Sequence, residues 1–403
     1  MVSFYPQVMQ TREEFEHLEE IILAPYAMHS SATKGRKYPE QEDKYRSCYQ
    51  RDRDRIIHCS AFRRLEYKTQ VFVNHEGDYY RTRLTHTIEV NQIARSIARS
   101  LKLNEDLVDA VSLAHDIGHT PFGHAGEEAL NELMKGRGAT SKGGFEHNRQ
   151  GLRVVDEIEE RYPGFPGLNL TFETREGIVK HSTVYDIPNL DGLPEFMPPQ
   201  APTLEAQVIN VADEIAYNSH DLDDGLKSGY ITLDQLKHVT LWDEIYSKVK
   251  SDLKTVNETL CIHKTIRELI NRQVIDVINY TDHKIKELGI KSVSDVRCRS
   301  KVTSPLLVKL SPKEMELQHE LKDFLYNNLY LHYKVDKMKN KAKRYIEALF
   351  NSYIKDLKQL PPDFASRLKD VDKYQVVCDY IAGMTDRFVQ DEYERLFMPY
   401  TKM

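Results

Sequence analysis

The chain has 403 residues, a formal charge of −6, 40% hydrophobic residues and 29% charged residues. This ordinary composition excludes a collagen-like chain, a wholly disordered chain and a small disulfide scaffold. The excess of acidic over basic residues argues against a globally basic protein that coats nucleic acid, but it does not exclude a local basic patch. The 16 histidines stand out, because histidine is the commonest metal ligand and titrates near neutral pH.

The sequence lacks the marks of membrane insertion and secretion. No apolar run approaches the roughly 20 residues that a membrane helix needs, and the N-terminus has no basic stretch followed by an apolar one. The five cysteines are scattered without a CxxC pair, as is typical of free thiols in a reducing compartment. We therefore expect a cytoplasmic protein that does not associate with membranes.

The hydrophobic pattern divides the chain into three parts. Residues 1–55 are polar without a regular apolar period, so we expect an irregular N-terminal arm. Residues 56–230 form the second part, and residues 231–403 are predicted to be a C-terminal region of amphipathic helices. Strand-like alternation is rare throughout. The sequence therefore predicts a mainly α fold with additional C-terminal helices.

Helical periodicity is clearest in the second part. In one segment, inward positions recur at i, i+4, i+7 and i+11, namely His86, Val90, Ile93 and Ile97, and the stripe is widened by Leu84, Ile88 and Leu101. Further helices are predicted over residues 106–116, 204–225 (with Gly225 as the C-cap), 313–331, 334–360 and 375–397, and a short strand or extended piece near residues 300–311.

The segment HDIGHTPFGH, residues 115–124, holds three histidines and an aspartate where a helix ends. His115 and Asp116 offer an imidazole nitrogen and a carboxylate oxygen, which first-row metals accept. His86 lies on an upstream helix, and Asp213 interrupts an apolar stripe downstream. Two His and two Asp would leave coordination positions open for water and substrate, as in catalytic sites. The expected cofactor is a divalent metal ion: manganese, magnesium, iron or cobalt.

These motifs resemble the HD-domain metal phosphohydrolases, and in particular the deoxynucleoside triphosphate triphosphohydrolases of the dGTPase-like family. The H…HD…D quartet is accompanied by further family motifs: HDIGHTPFGHAGE (115–127), FEHN (145–148), ADEIAYNSHDLDDG (212–225) and DYIAGMTDRFVQDEY (379–393). The resemblance is strong over residues 50–230 and patchy elsewhere.

The resemblance implies cleavage of dGTP, or of several dNTPs, between the 5′ oxygen and the α-phosphorus, which yields a deoxynucleoside and inorganic triphosphate. It implies the metal ligands His86, His115, Asp116 and Asp213, and the catalytic group His119, His124 and Glu127. It also implies the substrate-binding residues Gln70, Arg83, His147, Tyr217 and Asp221. Asp213, Tyr217, His220 and Asp221 share one helix face by their spacing, so His220 is a candidate addition.

One departure from the family concerns the position after the last metal aspartate. Some relatives have a phosphate-binding lysine there, whereas this chain has Glu214. Another cation must then serve, either Lys227 or a C-terminal basic residue. The resemblance also implies a homo-oligomer (hexamer or tetramer). The sequence leaves open whether a dNTP activates at a second site and whether single-stranded DNA is a partner.

Purely structural roles for these residues are an alternative interpretation. The histidines and carboxylates could individually be buried or capping residues, and the Tyr-rich segment 326–333 could serve packing or an oligomer interface. The main alternative enzyme is an HD-domain phosphohydrolase of another nucleotide class, a 5′-nucleotidase or phosphodiesterase. An alternative outside enzymology is a regulator with a vestigial site that binds nucleotides or single-stranded DNA.

Overall fold

The computed structural model describes residues 9–70, 81–137, 144–182, 190–198, 200–253, 257–299 and 306–399. Within these ranges the chain forms eighteen α-helices and three isolated bridges, with no β-strand. The mainly α prediction is confirmed. The expected strand or extended piece near 300–311 lies partly outside the described residues, and residues 306–311 form no strand.

The helices follow one another with short connections. In chain order they are α1 Arg12–Ile22, α2 Cys48–His58, α3 Ser60–Arg64, α4 Arg83–Ser100, α5 Glu105–Ala114, α6 His124–Met134, α7 His147–Arg153, α8 Phe172–Val179, α9 Leu204–Lys227, α10 Leu233–Leu236, α11 Thr240–Leu253, α12 Glu258–Leu288, α13 Val293–Arg299, α14 Pro312–Leu325, α15 Tyr333–Lys355, α16 Pro362–Ser366, α17 Lys373–Ala382 and α18 Asp386–Phe397. Side-chain caps start many of them: Thr82 accepts from the N–H of Thr85 at α4, and Thr203 from that of Ala206 at α9.

Residues 9–55 are more ordered than their sequence suggests. A reciprocal cap between Thr11 and Glu14 starts α1, and Met28 and Tyr49 are buried in the same core as α4. The apolar residues that this part contributes to the core lie largely in the connection after α1. They follow no helical period, so the sequence pattern does not predict their burial. On α1 itself the buried residue is Glu19, which accepts hydrogen bonds from Ser30.

The central core lies between α4, α5 and α9. Val90, Ile93 and Ile97 of α4 are buried there as predicted. Ile88, which the sequence assigns to the same stripe, is instead 52% exposed, because the buried face of α4 is narrower than the widened stripe. Helix α9 supplies Val208 and its neighbours to this core, so the helices that carry His86 and Asp213 pack directly together.

Two further cores join the C-terminal helices to the rest. In one, Leu130 and Met134 of α6 pack with α15, α17 and α18. The predicted single helix over 375–397 is wrong, since it breaks into α17 and α18 around Gly383. In the other, Leu222 of α9 packs with Trp242 and with residues of α14.

The expected cap at Gly225 is wrong. Helix α9 continues past it to Lys227 and is capped by Ser228. A Cβ on Gly225 would lie 2.6 Å from Ile231 Cδ1, so the glycine allows close packing rather than ending the helix.

None of the described helices is both long and apolar enough to cross a membrane. The five cysteines are all unpaired, as expected; four are buried and Cys298 is exposed.

Candidate active site

The four predicted metal ligands come together where α4, α5 and α9 meet. His115 is the residue that caps the end of α5, and Asp116 lies in the turn that follows. One ligand atom from each of His86, His115 and Asp116 lies within 4.8 Å of the others. Nε2 of His86 is 2.9 Å from Oδ1 of Asp213. Because the helix ends at His115, two sequence neighbours can face one point, which a continuing helix would not allow.

The ring of His115 is oriented for a metal. Its Nδ1 donates to the carbonyl oxygen of Ser112 at 2.6 Å, which leaves Nε2 with its lone pair facing the cluster. That Nε2 is buried and has no hydrogen-bond partner among the described residues. A hydrogen bond from the other ring nitrogen to a carbonyl oxygen fixes the tautomer of metal-bound histidines. Two imidazoles and two carboxylates therefore fit a divalent first-row cation.

The ring of His86 is supported by a chain of polar groups. His220 lies with its Nδ1 3.3 Å from Nδ1 of His86 and its Nε2 2.6 Å from Oε2 of Glu89. Glu89 in turn pairs with Arg81 at 3.0 Å. Burial lowers the pKa of His220 to about 4, so a neutral His220 donates from Nε2 to Glu89. Its Nδ1 then accepts from Nδ1–H of His86, and Nε2 of His86 stays available as a ligand.

Both aspartates are held in the ionised form that a cation needs. Burial acts to raise the pKa of Asp116, but Arg83, with Nη1 3.0 Å away, and the neighbouring histidines hold that pKa well below its usual range. Burial acts in the same way on Asp213, and hydrogen bonds with His181 and His86 hold its pKa well below normal. The cluster is thus a buried, anionic pocket.

A second group of histidines lies beside this cluster. Nε2 of His119 is 3.1 Å from Oδ1 of Asp116, which joins the two groups. The rings of His119 and His147 stack with centroids 3.9 Å apart. Glu127 reaches all three histidines: His147 Nδ1 is 3.0 Å from Oε1, and His119 Nδ1 and His124 Nδ1 are each 3.9 Å from Oε2.

Glu127 is an ionised carboxylate within this group. Burial acts to raise its pKa, yet the charge and hydrogen bond of His147, together with His119 and His124, hold it far below the usual range. The side chain of His124 is 53% exposed. A buried carboxylate behind a solvent-facing histidine can orient that ring and stabilise its protonated form.

The turn before α6 places His124 against the other predicted substrate residues. Phe122 and Gly123 both have positive φ, 62° and 57°, so the chain reverses sharply before His124. A Cβ on Gly123 would lie 3.3 Å from Arg83 Nη2 and 3.5 Å from the Gln70 carbonyl oxygen. The turn therefore brings His124, Arg83 and Gln70 together. Oε1 of Gln70 is buried and has no hydrogen-bond partner among the described residues.

The predicted sugar-binding residues lie one to two turns further along α9. Tyr330 donates its hydroxyl to Oδ2 of Asp221, and its ring centroid is 6.1 Å from that of Tyr217. Burial raises the pKa of Asp221 to about 8, so this carboxyl carries a proton at neutral pH. Tyr330 belongs to a π-helical segment, Tyr326–Tyr330, a feature common at functional sites.

The cation that faces Glu214 comes from the C-terminal helices. Nζ of Lys322, on α14, donates to Oε1 of Glu214, and both side chains are mostly buried. Lys227, the other candidate, pairs with Asp223 at 2.7 Å. Of the two sequence-based options, the structure brings the C-terminal basic residue to the site.

The structure thus brings the four predicted metal ligands together with Arg83 and the His119, His124, Glu127 and His147 group, and it adds residues that the sequence analysis missed. His181 lies with Nε2 3.4 Å from Oδ2 of Asp213, and its carbonyl oxygen accepts from Asn148 of the FEHN motif at 3.0 Å. Nothing in the spacing of His181 signals this. Tyr330 lies in the Tyr-rich segment that the sequence assigns to packing or an interface, and Glu89 looks like an ordinary helix-surface residue.

Comparisons with known proteins agree with this geometry. Residues 83–218 match the HD domain, and residues 308–395 match the phosphohydrolase-associated domain. The fold and site therefore define an HD-domain phosphohydrolase. The chain is 53% identical over 396 residues to a deoxyguanosinetriphosphate triphosphohydrolase-like protein of Geobacter sulfurreducens, covering 98% of this chain and 100% of the relative.

Other bacterial relatives carry the same name. A protein of Geobacter metallireducens is 53% identical over 94% of this chain and 96% of the relative, and one of Ralstonia pickettii is 53% identical over 93% and 94%. The chain belongs to the deoxyguanosinetriphosphate triphosphohydrolase-like family.

Proposed function

We propose that this protein hydrolyses dGTP, or several dNTPs, to the deoxynucleoside and inorganic triphosphate in a metal-dependent reaction. One observation carries the proposal: the contact of 3.1 Å between Asp116 and His119 joins a four-ligand metal cluster to a histidine–carboxylate group. A metal-bound phosphate and an acid for the leaving oxygen would then lie side by side. The names of the relatives support the substrate class.

His86, His115, Asp116 and Asp213 would hold a divalent cation. When bound, such a cation polarises an α-phosphate oxygen and lowers the pKa of a coordinated water. His115 is kept in the ligating tautomer by Ser112, and His86 by His220. The protein thereby aligns the ligands before substrate arrives, which suits a reaction that depends on positioning and charge stabilisation.

His124 is the proposed general acid. Its side chain is exposed to solvent and backed by Glu127, which would stabilise a proton on the ring. Donation of that proton to the 5′ oxygen would allow the deoxynucleoside to leave. Glu127 also holds His147, through both its ring and its backbone N–H at 2.9 Å, and the stacked His119 faces the metal cluster.

The triphosphate carries several negative charges, so cations must line its path. Arg83 lies beside Asp116, and its buried guanidinium can contact the phosphate next to the metal. Lys322 pairs with Glu214, the residue that follows Asp213 in the sequence. We propose that Lys322 takes the role of the lysine that some relatives place directly after the metal aspartate.

Asp221, Tyr217 and Gln70 are the proposed sugar contacts. A protonated Asp221 can both donate to and accept from a sugar hydroxyl. The shared face of α9 that carries Asp213 and Asp221 would hold the metal and the sugar at a fixed separation.

Product analysis tests the proposal. The protein is incubated with dGTP and Mn²⁺ or Mg²⁺, and phosphate products are resolved by anion exchange. Inorganic triphosphate together with deoxyguanosine is the expected first product pair. Pyrophosphate or orthophosphate as the first product would instead favour a phosphohydrolase of another class, and tight dGTP binding without any turnover would favour a regulator.

Three partners remain proposals: a homo-oligomer (hexamer or tetramer), a dNTP activator at a second site, and single-stranded DNA. Support for the first comes from exposed Tyr326, Leu331 and Tyr333, which place apolar surface next to the sugar-binding residues. Light scattering after size exclusion measures the mass with and without dNTP.

A further inference from the structure

A short turn between the last two helices contacts the loops that carry the candidate active-site residues. This turn, residues 382–386, connects α17 to α18 and belongs to the phosphohydrolase-associated domain. It ends at Asp386, the first residue of α18. None of its side chains is among the residues assigned above to metal, phosphate or sugar.

Both carboxylate oxygens of Asp386 bind backbone N–H groups of other segments. Oδ1 accepts from the N–H of Phe122 at 2.8 Å, and Oδ2 accepts from the N–H of Thr69 at 2.9 Å. Asp386 is only 5% exposed. An acidic residue in a first helical turn usually complements the helix dipole at the surface, whereas this one is buried and connects two distant loops.

The two loops are those that carry the predicted substrate residues. Thr69 precedes Gln70, and the carbonyl oxygen of Lys68 accepts from the N–H of Arg83 at 3.1 Å. Phe122 lies two residues before His124 and holds the unfavourable left-handed conformation. A hydrogen bond to the N–H of such a residue helps to offset the cost of its conformation.

Lys68 forms a second link between the same turn and the same loop. Its buried Nζ donates to the carbonyl oxygens of His119 and Ala382, at 2.5 and 2.9 Å. A third contact runs from Nη1 of Arg64 to the carbonyl oxygen of Gly383 at 3.1 Å. The turn thus holds both ends of the segment His119–Phe122.

We propose that Asp386 is a positioning residue: it holds the Phe122 turn against the Thr69 segment, so that His124 faces Arg83 and Gln70 in the geometry that the reaction needs. The phosphohydrolase-associated domain would then act on catalysis through this turn, without touching substrate. The kinetic part of this inference depends on the proposed function, whereas the structural part does not.

Asp386→Asn tests it, because asparagine is isosteric but can accept only one of the two N–H groups. Kinetics are measured with dGTP well below the melting temperature of each variant, with metal content determined in parallel. We expect kcat to fall about 10- to 100-fold, as a displacement near 1 Å can cause, with metal content unchanged. Asp386→Glu, which keeps the carboxylate, should recover part of the loss.

The matched control is Asp391→Asn on the same helix. Asp391 is half exposed and faces only Arg387, at 4.0 Å, among the ion pairs of the described residues. The Asp391→Asn variant removes one negative charge from α18, as Asp386→Asn does, but leaves the two loops unchanged. Its kcat should therefore stay within twofold of wild type. Lys68→Met, which cuts the second link, should lower kcat in the same direction and provides a second variant if Asp386→Asn folds poorly.

Amide hydrogen exchange tests the structural part independently of activity. Peptides covering residues 65–70 and 119–127 should exchange faster in Asp386→Asn and at the wild-type rate in Asp391→Asn. Unchanged exchange there, or a folded Asp386→Asn with kcat within twofold of an active wild type, would overturn the inference. An inactive wild type contradicts the proposed function instead, and exchange then decides whether Asp386 holds the loops.

Discussion

Nδ1 of His86 lies 3.3 Å from Nδ1 of His220, and the far nitrogen of His220 lies 2.6 Å from Glu89. The predicted metal ligand is therefore held by a histidine that belongs to the same helix as Asp213. Both rings are almost fully buried, so neither can exchange this contact for water. The orientation of His86 depends on His220 as much as on its own helix.

The first prediction follows from this contact. His220→Ala removes the acceptor for His86 Nδ1–H, so His86 loses its fixed tautomer and orientation. We expect the affinity for Mn²⁺ to fall about 10- to 100-fold, as is common when a partner of a metal ligand is lost. Titration calorimetry measures it. His283→Ala, at a ring that is 72% exposed, should bind Mn²⁺ as wild type does, and equal affinity in His220→Ala would contradict the assignment.

The second prediction concerns Glu127. Glu127→Gln removes the negative charge behind His124 and weakens the hold on His147. We expect kcat for dGTP to fall by about 100-fold or more, since general acid catalysis contributes about 10²–10⁴, while bound metal stays at the wild-type level. Steady-state kinetics and metal analysis check this. The control is Glu132→Gln on the same helix, where the carboxylate is 69% exposed and pairs only loosely with Lys135.

The third prediction concerns the protonation of Asp221. Because burial raises its pKa to about 8, the group is a neutral acid at pH 7, which an asparagine imitates and an alanine does not. We expect KM for dGTP within about fivefold of wild type in Asp221→Asn and raised at least tenfold in Asp221→Ala, the size of one lost hydrogen bond. Equal KM values in the two variants would show that Asp221 does not bind the sugar.

The fourth prediction tests the pair of Glu214 and Lys322. Lys322→Glu places two acidic groups where the triphosphate should pass, so KM for dGTP should rise more than tenfold. The double variant Glu214→Lys/Lys322→Glu restores one cation and one anion at the site with exchanged places. We expect it to recover much of the loss. A single Lys322→Glu variant with wild-type KM would mean that Lys322 serves only to neutralise Glu214.

The fifth prediction uses the buried amine of Lys68. Burial, helped by Arg64 and Arg83, lowers its pKa from 10.5 to about 7. Above pH 7 the unfolded chain therefore binds a proton that the native protein does not, and the free energy of unfolding rises with pH on account of this group. Between pH 7 and pH 9 this gain should be roughly 1–2 kcal/mol.

Urea unfolding of wild type and Lys68→Met at both pH values measures this gain. The stability of Lys68→Met relative to wild type should fall as the pH rises. Lys237→Met, at a surface lysine, provides the comparison without the pH effect. A difference between wild type and Lys68→Met that does not change with pH would show that Lys68 keeps its ordinary pKa.

Local sequence patterns predicted much of the fold, and the motifs pointed to many of the candidate polar residues of the site. The apolar period around Val90 and Ile93 predicted α4, and the helix end at His115 explained how two adjacent residues can face one metal. The hydrophobic pattern was less informative where the buried residues do not recur at a regular interval. The connection after α1 supplies its buried residues without a repeat, and Gly383 interrupts a stripe that otherwise looks continuous.

The residue types and their spacing therefore determined which side chains could bind a metal or share a helix face, and the family resemblance supplied the expected catalytic and substrate-binding roles. Only the tertiary structure decided how those groups are supported. Lys322 meets Glu214 across 108 residues, Tyr330 meets Asp221 across 109, and Asp386 meets Phe122 across 264. Such pairs follow from how whole helices pack, and helical periodicity reports which face is buried but not which distant residue lies opposite.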